Sequence, residues 1–421
     1  FYQHLVLSFL AFSNRDMRLL LNNPRFRLVW LVNIFDEAGL MVYFTVHGWL
    51  ALILTDSPFW VGAAAGIHGV AFMSFSLMAG VLADRVDRKT VVSVSMAAQA
   101  GLAFAAAILV FTDRIELWHL LVIAFLRGSA GAVKLPSKMA FVLDVVDRKD
   151  LLTATAANFV GGGITGIIIP ALAGVVVQSS DIAWAYIIMG VAWSLGPTAL
   201  LGLRDVRIVK KLDNSPLQDF KQGVRYVFTT SSVRTLILIG LSVGIFGWGV
   251  EAMLPVMVRD VLHAGPAGVG YMFSAASFGV LLSTLLISSR KEIKNKGLLL
   301  VAGYIGFGVF LILFALSPWL LLSLVLMGLV GLSGAAAETS MDTLLQTTVP
   351  DAMRGRVLSF RVFSIGASLF SGFYTGGVAL FLGAPLAIAI GGGVLVLHGI
   401  KMTRGLSVRF QERLPERDIA Q

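Results

Sequence analysis

Gly80-Val81-Leu82-Ala83-Asp84-Arg85-Val86-Asp87-Arg88-Lys89 closes one long apolar run, residues 58–83, and another begins almost at once. A few charged residues wedged between two membrane-length hydrophobic segments read as a tight loop at a membrane surface. Working outward, similar runs lie near 27–53, 89–111, 117–142, 151–178 and 182–203. After a polar stretch, 204–232, they return near 233–258, 267–289, 297–316, 319–346, 357–382 and 385–403. A hydrocarbon core of about 30 Å needs roughly 20 apolar residues per helix, so the pattern predicts about twelve spans, six on either side of one connector. The chain is 57% hydrophobic and 14% charged, with mean hydropathy +0.84. A soluble core of this length could not hide that much apolar surface. Only helices satisfy their backbones in lipid with such runs, because barrel strands would be short and alternating. The expected class is an all-α polytopic membrane protein.

Lys and Arg set the expected orientation. With an even number of spans both termini lie on one side. Arg114 and Arg259 fall in loops on the other side, and Arg127 and Lys134 lie inside the fourth run. Every other one of the 33 basic residues falls with the termini. The positive-inside bias therefore predicts cytoplasmic termini and connector. It also accounts for the net charge of +9 without a nucleic-acid partner. Basic residues follow the mildly apolar segment 1–14 (Arg15, Arg18) rather than precede it, the wrong order for a signal peptide. The expected organisation is a cytoplasmic segment 1–26, a six-helix bundle 27–203, a connector 204–232, a second bundle 233–403 and a tail 404–421.

The opening stretch resembles the loop between the second and third helices of major facilitator superfamily transporters, G-x-L-A-D-R-x-G-R-[KR]. Asp87 stands where the general pattern has glycine. D-R-x-D-R is common in the branch containing enterobactin exporters and macrolide efflux pumps. Leu135-Pro136-Ser137-Lys138, with Asp144 after it, resembles the P-A-R…E segment that ends the fourth helix of exporter-like members. Val349-Pro350-Asp351-Ala352-Met353-Arg354-Gly355-Arg356-Val357 resembles their V-P-x-x-x-R-G-R-V. Asp219 to Tyr226 is similar to the connector's D-x-x-x-G-x-x-Y helix. The resemblance implies a major facilitator fold: twelve transmembrane helices in two pseudosymmetric six-helix bundles, with the substrate site between them. Laying one half on the other puts Asp351 on Asp147, Gly366 on Gly162, Glu338 on Lys134 and Asp342 on Lys138.

A charge inside a membrane helix is costly and asks for a reason. Asp36 and Glu37 sit near the middle of the first run, and a 100° helical step puts Asp36, Tyr43 and His47 on one face. A carboxyl in an apolar cavity can exchange protons near neutral pH. The sequence thus points to proton coupling through Asp36, with Glu37 as the alternative; the plainer reading is a fixed ion pair or packing hydrogen bond. Arg127 opens a stretch that resembles the family's R-x-x-x-G motif, whose Arg is linked to proton transfer; it could equally be a structural partner for Asp36 or Glu37. Pseudosymmetry places Lys134 and Glu338 at equivalent depths, as a bridge between halves or a contact to charged substrate, with Asp342 nearby. Glu251, near Trp248, reads as an outer-vestibule or gate residue. By resemblance, Gly80, Asp84, Arg85, Arg88, Lys138, Asp144 and Arg356 form a conformational switch. There Asp84 would face the helix start at Gly355 and Arg356, and Arg88 would pair with Asp144 or Asp147. Gly62-x-x-x-Gly66, Gly162-x-x-x-Gly166 and Gly372-x-x-x-Gly376 fit close helix packing.

Enzyme signatures are missing. The six histidines form no H-E-x-x-H pair, and neither a phosphate loop nor a G-x-S-x-G elbow occurs. Cysteine is absent, so there is no disulfide and no thiolate metal site. No metal or cofactor is expected. The resemblance implies a monomeric secondary transporter in a bacterial cytoplasmic (inner) membrane, exchanging protons for a small amphipathic or hydrophobic compound (drug, macrolide or siderophore-like). A lipid or lysolipid flippase, or a metabolite importer, shares the fold. From another class, a non-transporting membrane sensor would tolerate loss of Asp36 in its ligand response.

Overall fold

The computed structural model describes residues 22–147, 149–203, 216–289, 295–350, 353, 357, 366, 368 and 370–409; the side chains of 77–85, 143, 152, 216–221 and 403–409 are outside that description. Among the described residues every regular element is a helix: α1 Pro24–Thr55, α2 Pro58–Arg85, α3 Arg88–Phe111, α4 Leu117–Val145, α5 Leu151–Ser179 and α6 Ile182–Leu201. The connector helix α7 Pro216–Thr229 follows. Then come α8 Ser231–Val261, α9 Pro266–Ser288, α10 Lys296–Ala315, α11 Leu320–Thr348 and α12 Ser371–Arg409. All but α7 are long and apolar enough to cross a bilayer, which makes eleven candidate spans.

Local chemistry sets the ends. Asn23 Oδ1 accepts the Phe26 N–H at 3.0 Å, and Pro24 brings no N–H to the first turn of α1. Asp87, the residue that departs from the general motif, caps α3 by accepting from Thr90 N at 3.2 Å. Lys89 Nζ donates to Leu203 O at 2.6 Å just beyond the end of α6, where carbonyls lack helical partners.

Two features depart from plain α-helix. α8 carries π-helical turns at Val243–Gly247 and Met257–Val261, which no periodicity in the sequence signals. α12 joins the end of the expected span 357–382 to the expected span 385–403 at Gly383, with φ +81° and ψ 158°. That region is essentially glycine-only, and a Cβ there would meet no obstacle closer than Pro385 Cδ at 3.7 Å. Gly383→Ala is therefore expected to cost about 1–3 kcal/mol through backbone strain rather than clash. Asparagine, tolerated in left-handed helical positions, should not rescue it. Thermal unfolding of the two variants checks this; an unchanged midpoint for either would sink the strain argument.

The molecule is arranged apolar-out. Phe381, Leu201, Leu321 and Leu298 are exposed, whereas Asp36, His47, His68, Arg127 and Lys134 are buried. That is the arrangement a lipid-facing bundle requires. Within the first half α2 packs on α4, α3 on α6, and α1 on α5 and α6. In the second, α9 and α10 pack on α11, and α12 on α8 and α10. The halves meet along α5–α9 and α2–α12. At the end away from the termini they are drawn tightly together. A Cβ on Gly62 would lie 2.8 Å from Gly376 Cα, and one on Gly174 would lie 2.9 Å from Ala267 Cα. At the same end Arg259 Nη2 meets Asp56 Oδ1 at 2.6 Å, tying α8 to the α1–α2 turn.

Candidate functional site

Asp36 lies well inside α1, 3% exposed. On antiparallel α4, Lys134 and Lys138 are one turn apart on one face and both reach it. Lys134 Nζ binds Oδ1, and Lys138 Nζ binds Oδ2 at 2.7 Å. Gln99 Oε1, from α3, accepts from Lys134 Nζ at 2.6 Å, and Trp193 Nε1, from α6, donates to the Asp36 carbonyl at 3.3 Å. Four helices thus meet around Asp36, with both lysines on its carboxylate coming from α4.

Farther along the same faces Arg127 meets Tyr43. The guanidinium carbon sits 3.8 Å from the ring centroid, a cation–π contact, and Nη1 lies 3.2 Å from His68 Nδ1 on α2. Tyr43 stacks on His47 with centroids 4.4 Å apart, and His47 Nδ1 lies 3.2 Å from the Tyr186 hydroxyl. The face predicted for α1, with Asp36, Tyr43 and His47, is buried against the Arg127–Lys134–Lys138 stripe of α4.

The two residues expected to bridge the halves lie in separate clusters. Lys134 is held by Asp36 and Gln99 within the first half, while Glu338 on α11 accepts from Trp248 Nε1 at 2.9 Å within the second. Asp342, one turn from Glu338, is half-buried. Arg127, expected on Asp36 or Glu37, lies on Tyr43 and His68 instead. Lys138, expected in the switch, reaches the Asp36 carboxylate because the fourth-helix turn it shares with Lys134 faces α1. Arg88 Nη1 binds Asp144 Oδ1 at 2.6 Å and lies 3.3 Å from the Ala140 carbonyl, the first of its two expected partners. The side chains of Asp84 and Arg85, and residue 356, lie outside the described residues, and Gly80 falls in the same stretch of α2 described by backbone alone. Gln99 and Trp193 were not singled out from sequence, although a lone amide within the third apolar run is itself a signal.

Two cavities adjoin these groups. One, of about 550 Å³, is lined by Asn33, Glu37 and Met41 of α1, Lys138 of α4, Asn158, Phe159 and Gly162 of α5, and Ser277, Val280, Leu281 and Thr284 of α9, among others. Gly162 therefore borders open space rather than a helix; only Gly166 of its motif is crowded, a Cβ there falling 2.9 Å from Ser277 Oγ. The other, of about 370 Å³, lies between the halves and is bordered by Tyr43, His47, His68, Trp248, Glu251 and Glu338, among others.

A family model described as transmembrane secretion effector matches residues 20–418. The chain belongs to the transmembrane secretion effector family. The enterobactin exporter EntS of Escherichia coli O127:H6 is 24% identical over 389 residues, covering 91% of this chain and 92% of that protein. EntS of strain K12 is 23% identical over 407 residues, covering 95% and 96%. Among solved structures, the nucleoside transporter NupG superposes with a TM-score of 0.70 at 14% identity, over 90% of this chain and 99% of that one. A bacterial homologue of the human lysosomal transporter Spinster, inward-facing and unoccupied, gives 0.68 at 14% identity, over 91% and 95%. These likenesses establish the major facilitator fold, and this member of the secretion effector family is a multi-pass membrane transporter.

Proposed function

We propose that this transporter exports small amphipathic or hydrophobic compounds across a bacterial cytoplasmic membrane in exchange for protons, as a monomer, by rocking bundle 27–203 against bundle 233–403. The observation that carries the reading is Lys138. It binds Asp36 at 2.7 Å and also lines the 550 Å³ cavity beside Glu37. One side chain therefore connects a buried carboxylate to the space a substrate would fill. A proton arriving on Asp36 or Glu37 removes a charge that Lys138 answers, and frees the ammonium to move. Substrate in the cavity and proton on the carboxyl then compete for the same lysine, which is the linkage an exchanger needs. The positive-inside bias puts this cavity toward the cytoplasm and the closed end outside. Export as the direction draws on the enterobactin exporters that the chain resembles along its length. The motif around Asp84, Arg85 and Arg356 would hold the cytoplasmic side in its alternate state, while the Arg88–Asp144 contact within the first half is already made here.

The test is accumulation of a dye, antibiotic and catecholate panel in efflux-deficient bacteria expressing the chain, with and without a protonophore. Lower accumulation that the protonophore abolishes is the expected result. Lower accumulation that survives the protonophore would overturn the proton drive, and raised accumulation would overturn the direction. Unchanged accumulation, with the protein in the membrane, would count against broad efflux and favour a lipid or one dedicated metabolite.

A further inference from the structure

Ion pairing accounts for Asp36, but not for Glu251 of α8. That side chain is half-buried and lines the cavity of about 370 Å³ between the halves. Among the described residues none donates a hydrogen bond to its carboxylate or pairs a cation with it. Glu338, which borders the same space, is engaged, accepting from Trp248 Nε1 at 2.9 Å. A carboxylate left ionised and unpaired in a membrane interior is costly, and such residues mark ion and proton pathways.

The other ionisable groups around the cavity already have partners. On α1, Tyr43 carries the Arg127 guanidinium on its ring, and His47 Nδ1 lies 3.2 Å from the Tyr186 hydroxyl. On α2, His68 Nδ1 lies 3.2 Å from Arg127 Nη1. α9 contributes Phe273 and α12 contributes Ser371 and Gly372, none of them ionisable, while Tyr374 of α12 packs edge-on against Phe246. Farther along α8, Arg259 binds Asp56 and Asp260. Glu251 is also placed for access from the end away from the termini. Val261, where α8 ends, is ten residues beyond it, about 15 Å along a helix. Thr55, where α1 ends, is nineteen beyond Asp36, about 28 Å. One turn from Glu251, Pro255 closes that route in this structure: a Cβ on Gly48 of α1 would lie 3.0 Å from its Cγ. Pro255 also brings no N–H to the Glu251 carbonyl, which gives an entering water a second acceptor beside the carboxylate. The segment Gly249–Val256 is π-helical on both sides, and such turns occur frequently at functional sites.

We propose that Glu251 is a proton-loading site on the side away from the termini, separate from Asp36. When the Gly48–Pro255 contact opens, a hydronium entering the cavity gives its proton to a Glu251 carboxylate oxygen and leaves a water molecule behind. Its part in transport rests on the proton exchange proposed above; titration of the carboxyl itself needs neither substrate nor turnover.

The test is infrared difference spectroscopy of the full chain in lipid nanodiscs, stepped from alkaline to acidic buffer with no ligand added. The expected result is a carboxyl C=O band that grows as the buffer is acidified. Glu251→Gln should lose one carboxyl's share of that band, and Glu251→Asp should keep the share at a shifted frequency, each variant being first shown folded by size-exclusion profile. The same band in the unaltered protein and in Glu251→Gln would overturn the proposal, and so would a Glu251 share that buffer pH does not change. Should Glu251→Gln fail to fold, Glu251→Asp decides alone: an unshifted band would assign it to other acids. In the accumulation assay, protonophore-sensitive export that survives in Glu251→Gln would overturn the part of Glu251 in the exchange. A titrating Glu251 in a protein whose export ignores the protonophore would leave the site standing and remove only the proton drive.

Discussion

Asp36→Ala is expected to destabilise the protein by about 3–5 kcal/mol, the range for stripping one partner from a buried ion pair. The carboxylate receives both Lys134 and Lys138, so its loss leaves two ammoniums facing apolar surroundings. Lys134 is 6% exposed and retains Gln99 Oε1 as a neutral acceptor, whereas the Lys138 side chain, 20% exposed, can turn toward the adjoining cavity. Most of the penalty therefore belongs to Lys134, which makes a rescue possible. Asp36→Asn combined with Lys134→Met should be more stable than Asp36→Asn alone, because the second change removes the charge the first has orphaned. Thermal unfolding of Asp36→Asn, Lys134→Met and the double variant, beside the unaltered protein, gives the double-mutant cycle. An interaction above about 1 kcal/mol is expected for groups in direct contact. Additive effects would mean that the pair is not coupled as the geometry requires. The rescued double variant also separates folding from coupling: if Asp36 carries the proton, it should be present in the membrane yet show no protonophore-sensitive export. A sensor would keep its ligand response.

The readings differ in how far sequence alone could carry them. Spans were legible because lipid demands about 20 apolar residues at a stretch: from α1 to α6 the observed ends differ from the expected ones by only a few residues, as at Arg88–Phe111 against 89–111, whereas α12 runs Ser371–Arg409 across two expected spans. Asp36, Arg127 and Lys134 were legible as buried charges because a charge in such a run stands out against its neighbours. Who meets whom was not. The i, i+4 spacing of Lys134 and Lys138 places them on one face, but that this face turns toward α1 depends on how α4 is rotated in the bundle. Pseudosymmetry suggested Lys134 with Glu338, since the two hold equivalent positions on α4 and α11. Equivalence in depth carries no information about rotation, and a nearer acid on α1 took the lysine. No local pattern signals the π turns of α8; the first packs Gly244 against Ser368 and Gly247 against Phe307. The glycine pairs were legible as packing motifs, but not that two of them pack on each other: Gly62-x-x-x-Gly66 on α2 lies against Gly372 and Gly376 on α12, with Phe373 over Gly66.

That last contact sets the second large effect. Gly62→Leu is expected to open the end of the molecule away from the termini. The Gly62 Cα faces Gly372 O and Gly376 Cα, so a new side chain meets backbone on a neighbouring helix and not a tip that could swing aside. Overpacking of this kind costs about 1–3 kcal/mol. Because α2 and α12 belong to opposite halves, the strain is relieved by separating them, and a protein with two competing closures has such a state available. A shift of that size moves the open-to-closed ratio on the order of tenfold or more. The chain contains no cysteine, so a single Ala65→Cys in the cavity wall reports access without background. Modification of that thiol by a membrane-impermeant maleimide from the outer face should be faster in Gly62→Leu. Gly377→Leu is the matched control: its Cβ would meet nothing within 4 Å, so labelling should stay at the Ala65→Cys rate. Equal labelling in all three backgrounds would show that the α2–α12 approach does not govern this end. The Asp56–Arg259 pair cannot substitute for it, because Asp56 is 81% exposed and a solvated ion pair contributes about 0–1 kcal/mol. Close backbone packing, rather than charge, is thus what has to yield when the end away from the termini opens.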